Sequence, residues 1–226
     1  MTNTFAGWQT ANSPHYVFHF RQGSHAHAHI QHIIDAQESA YAQITAALGV
    51  QPGFPLRYFL LDTPEDVGEA YGDNEACNGF ALSPDTVYAV YNDAVQCIGP
   101  HEDAHLLAEL IGRPGSAFVR EGLAMHFDAR WWGRPNEAWA SEFAQQSRLP
   151  ALDSLLTDEY FHSLEDALTY PVAGAMTSFL IARFGMAQYL SFYRLAGHQV
   201  HRQFEDHFGS MAAVERDFIA FLTSRT

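Results

Sequence analysis

The chain has 226 residues, of which 47% are hydrophobic, enough for one folded domain with a sizeable core. Its 26 acidic and 12 basic side chains give a formal net charge of −14, which repels polyanions, so we expect no nucleic-acid partner. Every basic side chain is an arginine, which excludes mechanisms that need a lysine nucleophile, a lysine Schiff base or a phosphate-binding lysine.

The first half of the chain predicts alternating strands and helices. An aromatic and β-branched run at residues 15–20 indicates a strand, and an apolar stripe over residues 24–48 indicates a helix. Thr63 before Pro64 is a typical start for a short helix, which must end by Gly72. The further strands are predicted at residues 56–61, 79–82 and 86–91, the last two forming a hairpin.

The second half predicts helices throughout. A cluster of glycine and proline at residues 112–115 separates the first two of them. The first helix is expected to begin at Pro100, although a start near Asp93 is also compatible with the pattern. The predicted helices are residues 100–111, 118–130, 136–148, 163–184, 186–195, 201–208 and 211–224.

These elements predict an α+β fold, in which a small N-terminal mixed sheet with helices is followed by a helical C-terminal half. The sequence has no Gly-, Ser- or Pro-rich linker and no internal repeat. We therefore expect a single domain over residues 1–226, with the sheet and the motif helix in residues 1–112 and the helical part in residues 113–226. The oligomeric state does not follow from the sequence.

The cysteines and the N-terminus bear on the compartment. Cys77 and Cys97 have no zinc-motif spacing, and we expect two buried thiols, with a disulfide as the alternative in an oxidising compartment. The first residues lack the basic and apolar segments of a signal peptide, and no run has the length of a membrane span. A cytoplasmic protein with no membrane partner is expected, and an exported mature form would have the same sequence features.

A metal-binding pattern lies in the first motif helix. His101 and His105 are four residues apart and therefore share one helical face, where their imidazoles can bind one zinc ion. Glu102 lies beside them, in the position of a general base for metal-activated water. Catalytic zinc takes three protein ligands and keeps one open position. The sequence therefore predicts a hydrolytic zinc centre. Its third ligand must come from outside this helix.

Two residues compete for that third position. Glu121 begins an apolar, helix-like run at residues 121–132, and His126 follows it by five residues. On one helix, side chains five residues apart diverge by about 140°, so both cannot face the same ion. Asp103 and Asp128 are the nearby carboxylates that could orient a ligand histidine.

A second histidine cluster lies at residues 25–32 and contains His25, His27, His29 and His32. On the predicted helix, residues two apart point about 200° away from each other, so alternate histidines cannot converge on one ion. We therefore interpret this cluster as a solvated or partly buried helix face.

The motif residues resemble those of the gluzincin zinc peptidases, and especially the bacterial peptidase MA-like group. The resemblance rests on His101-Glu102-Asp103-Ala104-His105 and on the downstream Glu121-Gly122-Leu123-Ala124, and it continues as a looser pattern through residues 152–185. Asp103 departs from the group, which more often has an apolar or small residue there. Pro100 is also unusual, since it could kink the helix or begin it.

The resemblance implies a zincin-like core and assigns further residues. It favours Glu121 over His126 as the third zinc ligand, because Gly122, Leu123 and Ala124 follow Glu121. It also implies that Tyr170 reaches over the metal to stabilise the oxyanion of the tetrahedral intermediate. In gluzincin aminopeptidases a glutamate ahead of the motif anchors the free amine of the substrate, whereas residues 77–82 contain no acidic residue.

The sequence thus predicts a zinc metallopeptidase that hydrolyses peptide bonds without a covalent intermediate. The expected cofactor is Zn²⁺ and the expected partner is a polypeptide substrate, cleaved as by an endopeptidase. Two other classes remain as alternatives: a zinc-binding but catalytically inactive domain that acts as an interaction module, and a metal-free structural domain in which the motif is coincidental.

Overall fold

A five-stranded mixed sheet forms the centre of the first of two compact units, Met1–Leu110 and Ile111–Thr226. The computed structural model describes residues 7–72 and 75–224. The strands of this sheet are β1 (Trp8–Asn12), β2 (Tyr16–Arg21), β3 (Leu56–Leu61), β4 (Gly79–Leu82) and β5 (Thr86–Val90). The helices of the unit are α1 (His25–Ala28), α2 (Ile30–Leu48), α3 (Pro64–Tyr71) and α4 (Pro100–Ala108).

The strand order is β1-β2-β3-β5-β4. The three central strands are parallel, and β1 and β4 pair antiparallel at the two edges. Five of the six residues of β3 are buried, the near-continuous apolar pattern typical of a central parallel strand. The antiparallel edge strand β4 is more exposed.

Several local predictions in this unit are confirmed. The strand at Leu56–Leu61 and the hairpin of β4 and β5 lie where the sequence indicates, with the last strand ending one residue earlier. Thr63 caps α3 by accepting a hydrogen bond from the backbone N–H of Asp66 at 3.1 Å. This helix ends at Gly72, which has a left-handed conformation at φ 99°.

Other predictions in this unit are wrong in detail. β1 is missing from the prediction, and the long helix expected over residues 24–48 is interrupted at His29. The motif helix ends at Ala108 rather than residue 111, and it begins at Pro100, so the alternative start near Asp93 does not occur. Cys77 and Cys97 form no disulfide, and both are partly rather than fully buried.

The second unit is helical apart from one short hairpin. Its helices are α5 (Ala117–Asp128), α6 (Asn136–Gln145), α7 (Leu152–Leu155), α8 (Asp158–Ser163), α9 (Asp166–Phe184), α10 (Met186–Leu195), α11 (Val200–Phe208) and α12 (Met211–Thr223). The hairpin consists of β6 (Arg130–Trp131) and β7 (Arg134–Pro135). α7, α8 and this hairpin are missing from the prediction, and residue 163 ends α8 rather than beginning α9.

α9 is the central helix of the second unit. Nearly all of its residues from 169 to 180 are buried, as expected for a helix that is apolar on every side. α5 and α6 pack directly against it. Gly122 makes the α5 contact possible, because a Cβ there would lie 2.4 Å from the Thr177 hydroxyl oxygen and 3.1 Å from the Ala173 carbonyl oxygen.

The predicted α+β class is therefore confirmed, with a mixed sheet in the first unit and helices in the second. The expectation that both form a single domain stays a prediction. Within residues 7–72 and 75–224, none of the helices combines the length and the apolar character needed to cross a lipid bilayer.

Candidate metal centre

The first two motif histidines lie on the partly exposed face of α4. Pro100 is the first residue of this helix, where its missing N–H removes no intrahelical hydrogen bond. His101 follows Pro100 directly, and His105 lies one turn further along the helix. The centroids of the two histidine rings are 5.0 Å apart and their planes are at 83°. Asp103, Ala104 and three leucine or alanine residues form the opposite, buried face of the helix.

Asp103 anchors that buried face to the sheet. Its carboxylate oxygens lie 2.5 Å from the hydroxyl of Tyr16 on β2, 2.7 Å from that of Tyr58 on β3, and 3.0 Å from Nε2 of Gln37 on α2. Burial raises the pKa of Asp103 to about 7, although the hydrogen bonds from both tyrosines act in the opposite direction. Asp103 therefore holds the helix in place. The sequence interpretation that Asp103 orients a ligand histidine is wrong, because its carboxylate bonds to Tyr16, Tyr58 and Gln37 instead.

The hydroxyl of Tyr16 also lies 2.9 Å from the backbone carbonyl of Gln37. A phenol carries one hydrogen, so Tyr16 can donate either to this carbonyl or to Asp103. Both contacts have Tyr16 as the donor, so its hydroxyl hydrogen is shared between the two acceptors.

Gln37 fixes the point where the chain enters α4. Its Oε1 accepts from the backbone N–H of Gly99 at 2.5 Å, and its Nε2 donates to the carbonyl of Gly99 at 3.2 Å. Gly99 is the N-cap residue and has φ 120°, a conformation that other residues rarely adopt. The fully buried side-chain amide of Gln37 thus hydrogen-bonds to both backbone groups of Gly99, two residues before His101.

Glu102 lies against the first residue of β4. A Cβ on Gly79 would be 3.3 Å from Oε1 of Glu102 and 2.8 Å from Sγ of Cys97. The glycine therefore leaves the space that the Glu102 side chain needs beside the edge strand. Glu102 itself is partly exposed.

Glu121 lies in the second turn of α5 and is partly exposed. The helix begins at Ala117 and ends at Asp128, one residue before the predicted start at 118 and two residues before the predicted end at 130, so the apolar run at 121–132 extends past the helix. One ligand atom each from His101, His105 and Glu121 lie within 4.8 Å of one another. Among the described residues, this is the group of three or more histidine, cysteine and acidic side chains that could hold a metal ion.

His126, the rival third ligand, is not part of that group. Its Nδ1 lies 2.8 Å from the hydroxyl oxygen of Ser178 on α9, and burial lowers its pKa. This agrees with the helical geometry, which points Glu121 and His126 in different directions.

Tyr170 lies on α9, directly before Pro171, and is partly buried. Its ring centroid lies 5.2 Å from that of Trp131 and 5.9 Å from that of Phe161. Aromatic packing within the second unit therefore holds this side chain.

The sequence interpretation missed the residues that hold α4. Gln37 lies on the apolar stripe of α2 between Ile33 and Ile44, and a polar residue at such a position signals a buried hydrogen-bonding side chain. Tyr16 and Tyr58 carry no comparable signal, because their hydroxyl partners are 87 and 45 residues away in the chain.

Comparison with known proteins adds no family to this picture. No protein-family model matches the chain, and a search of curated proteins gives no significant match.

Proposed function

We propose that this chain is a zinc-dependent peptidase of the gluzincin type with a zincin-like core. The observation that carries the proposal is the donor set: two imidazole nitrogens and one carboxylate oxygen that lie within 4.8 Å of one another. Three such ligands, with one position left for water or substrate, are the usual protein contribution to catalytic zinc. His101, His105 and Glu121 would hold the ion.

Zinc, when bound, supplies Lewis acidity that polarises the scissile carbonyl and makes water a better nucleophile. Glu102 is the general base, which accepts a proton from the attacking water and then passes it to the departing amine. Its position supports this role, because Glu102 follows His101 directly but lies outside the three-residue group. The carboxylate also lies beside the edge strand, since a Cβ on Gly79 would be 3.3 Å from Oε1 of Glu102.

Tyr170 is the proposed hydrogen-bond donor to the oxyanion. The packing of its ring against Trp131 and Phe161 supports a fixed orientation. α9, which carries Tyr170, packs along α5, which carries Glu121. A hydrogen bond of this type typically lowers the barrier by about 3 kcal/mol.

Zinc content tests the proposal most directly. The purified chain is expected to retain about one zinc ion through dialysis, and the His105→Ala variant is expected to lose most of it, because two ligands make a poor tetrahedral site. Zinc measured per chain by atomic emission gives the result. Glu121→Ala should behave like His105→Ala, whereas the control His126→Ala should keep its zinc. Dialysis-resistant zinc in a protein that lacks both His101 and His105 would contradict the assignment.

The proposed substrate is an extended polypeptide that pairs with β4. This strand is last in the sheet order, and it pairs with β5 along one edge only, among the strands that the structure describes. Main-chain hydrogen bonds to such an edge bind a peptide without regard to its ends. Residues 77–82 offer no carboxylate to compensate a desolvated ammonium group, so a free N-terminus should give no advantage.

Matched peptides with free and acetylated N-termini test this substrate class. We expect cleavage of both at the same internal bonds with comparable kcat/KM, measured by mass spectrometry of the products over time. The endopeptidase assignment is wrong if only the free-amine peptides are cut and single residues are released from that end.

A further inference from the structure

The histidine cluster at residues 25–32 contains a pair that the sequence interpretation did not consider. His25 opens α1, and His29 follows that helix directly, so the two lie one helical turn apart. Their ring centroids are 4.1 Å apart, with the planes at 42°. The buried ring of Tyr91 lies against both, 5.4 Å from His25 and 6.2 Å from His29. Tyr91 therefore packs against both rings of the pair.

The neighbours of the two rings decide which nitrogen carries the proton. Nδ1 of His29 lies 2.9 Å from the backbone carbonyl oxygen of His25. A carbonyl can only accept, so Nδ1 of His29 carries the hydrogen and Nε2 keeps its lone pair. An oxygen of Asp93 lies 2.9 Å from Nδ1 of His25, and a carboxylate in that place favours the proton on Nδ1. Both histidines thus present Nε2 as the basic nitrogen.

This is the arrangement that metal-binding histidines adopt, with the other ring nitrogen given to a carboxylate or a backbone carbonyl. In the part of the chain that the structure describes, no group hydrogen-bonds to Nε2 of His25 or His29. His29 is exposed, and the His25 side chain keeps 24% of its accessible surface. Both side chains are therefore accessible to an ion from solution.

The two neighbouring histidines differ from this pair. Nδ1 of His27 accepts a hydrogen bond from the backbone N–H of Gly23 at 3.0 Å, so its hydrogen is on Nε2. Its ring stacks on Phe20 with centroids 5.6 Å apart. His27 therefore stabilises the turn before α1, while His32 is an exposed residue of α2.

We propose that His25 and His29 form a second metal-binding site for a divalent transition-metal ion such as Zn²⁺, Ni²⁺ or Cu²⁺. Imidazole nitrogens suit these ions, and Cu²⁺ binds most tightly in the usual order of affinities. Asp93 is the carboxylate partner of His25, and water fills the remaining positions. With two protein ligands instead of three, this site binds its ion more weakly than the group of His101, His105 and Glu121.

Cu²⁺ binding in a background without the first group tests the proposal. The His101→Ala/His105→Ala protein is titrated with Cu²⁺ by calorimetry and compared with the same protein that also carries His25→Ala and His29→Ala. We expect one ion per chain in the first protein and at least a tenfold loss of affinity in the second. A control with His32→Ala in the same background should bind like the first protein. Equal affinities in all three would overturn the proposal.

A second measurement does not depend on the folding of the variants. In the unmodified chain loaded with one zinc ion, substoichiometric Cu²⁺ should broaden the ring NMR signals of His25 and His29 before those of His27 and His32. Uniform broadening of all four would contradict the proposal. The calorimetric comparison is independent of the proposed peptidase centre, because it is made in a protein that lacks both His101 and His105.

Discussion

Glu102→Gln is expected to lower peptide hydrolysis by two orders of magnitude or more while the zinc remains bound. Glutamine keeps the size and shape of the side chain, but an amide cannot accept the proton of the attacking water. General-base catalysis typically contributes a factor of about 10² to 10⁴. The measurements are kcat/KM on an internally quenched peptide and the zinc content of each preparation.

Glu69→Gln serves as the matched control for this experiment, since Glu69 is an exposed residue of α3. The control should retain full activity. Unchanged turnover in the Glu102→Gln variant would mean that the motif is not the catalytic centre. Loss of zinc in that variant would instead make Glu102 a ligand. Zinc binding without hydrolysis in the unmodified chain would favour the inactive, binding-module alternative.

Asp103→Ala is expected to destabilise the metal-free chain by about 3 to 5 kcal/mol. The substitution removes the acceptor that two buried tyrosine hydroxyls and one buried glutamine amide share. Among the described residues, Tyr58 then has no acceptor for its hydroxyl hydrogen, whereas Tyr16 keeps the Gln37 carbonyl and Gln37 keeps the Tyr58 hydroxyl and the Gly99 carbonyl. One unsatisfied buried polar group costs about 1 to 3 kcal/mol, and the bonds lost by the other two donors add to that cost without being fully additive. Urea unfolding in the presence of a chelator measures the loss of free energy of unfolding.

Two further variants define this prediction. Asp103→Asn keeps the shape and one acceptor oxygen, so it should cost less than the alanine variant. Glu69→Ala removes an exposed carboxylate from the same unit and should change stability by no more than about 0.5 kcal/mol. A loss below about 1 kcal/mol in Asp103→Ala would show that the network does not hold α4 as described.

The elements with strong local signals were predictable. Thr63 followed by Pro64 fixes the start of α3 through a side-chain cap and a preset backbone angle, both of which depend on adjacent residues. β1 was not predictable in the same way, because its strand conformation depends on pairing with β2 rather than on its own alternation. The β6–β7 hairpin was missed because Trp132, at φ 49°, occupies a turn position that usually carries asparagine, aspartate or glycine.

In the candidate site, too, the residues placed by local spacing were predictable and those placed by long-range packing were not. Helical spacing alone places His101 and His105 together, because four residues make about one turn. The partners of Asp103 could not be found from spacing, since Tyr16, Gln37 and Tyr58 are brought to it by long-range strand and helix packing. The break at His29 was also missed, and with it the pairing of that ring with His25.

The anchoring of α4 has a consequence for how the protein would exchange its metal. Gln37 and Asp103 hold the helix through contacts among protein atoms alone, so the spacing of His101 and His105 is set when the chain folds. An incoming ion then has little of this helix to organise. A chelator would remove the ion and leave the fold, and resupply would restore it without a folding step. The fraction of molecules that carry metal would therefore depend on the free metal concentration and not on whether metal was present when the chain folded.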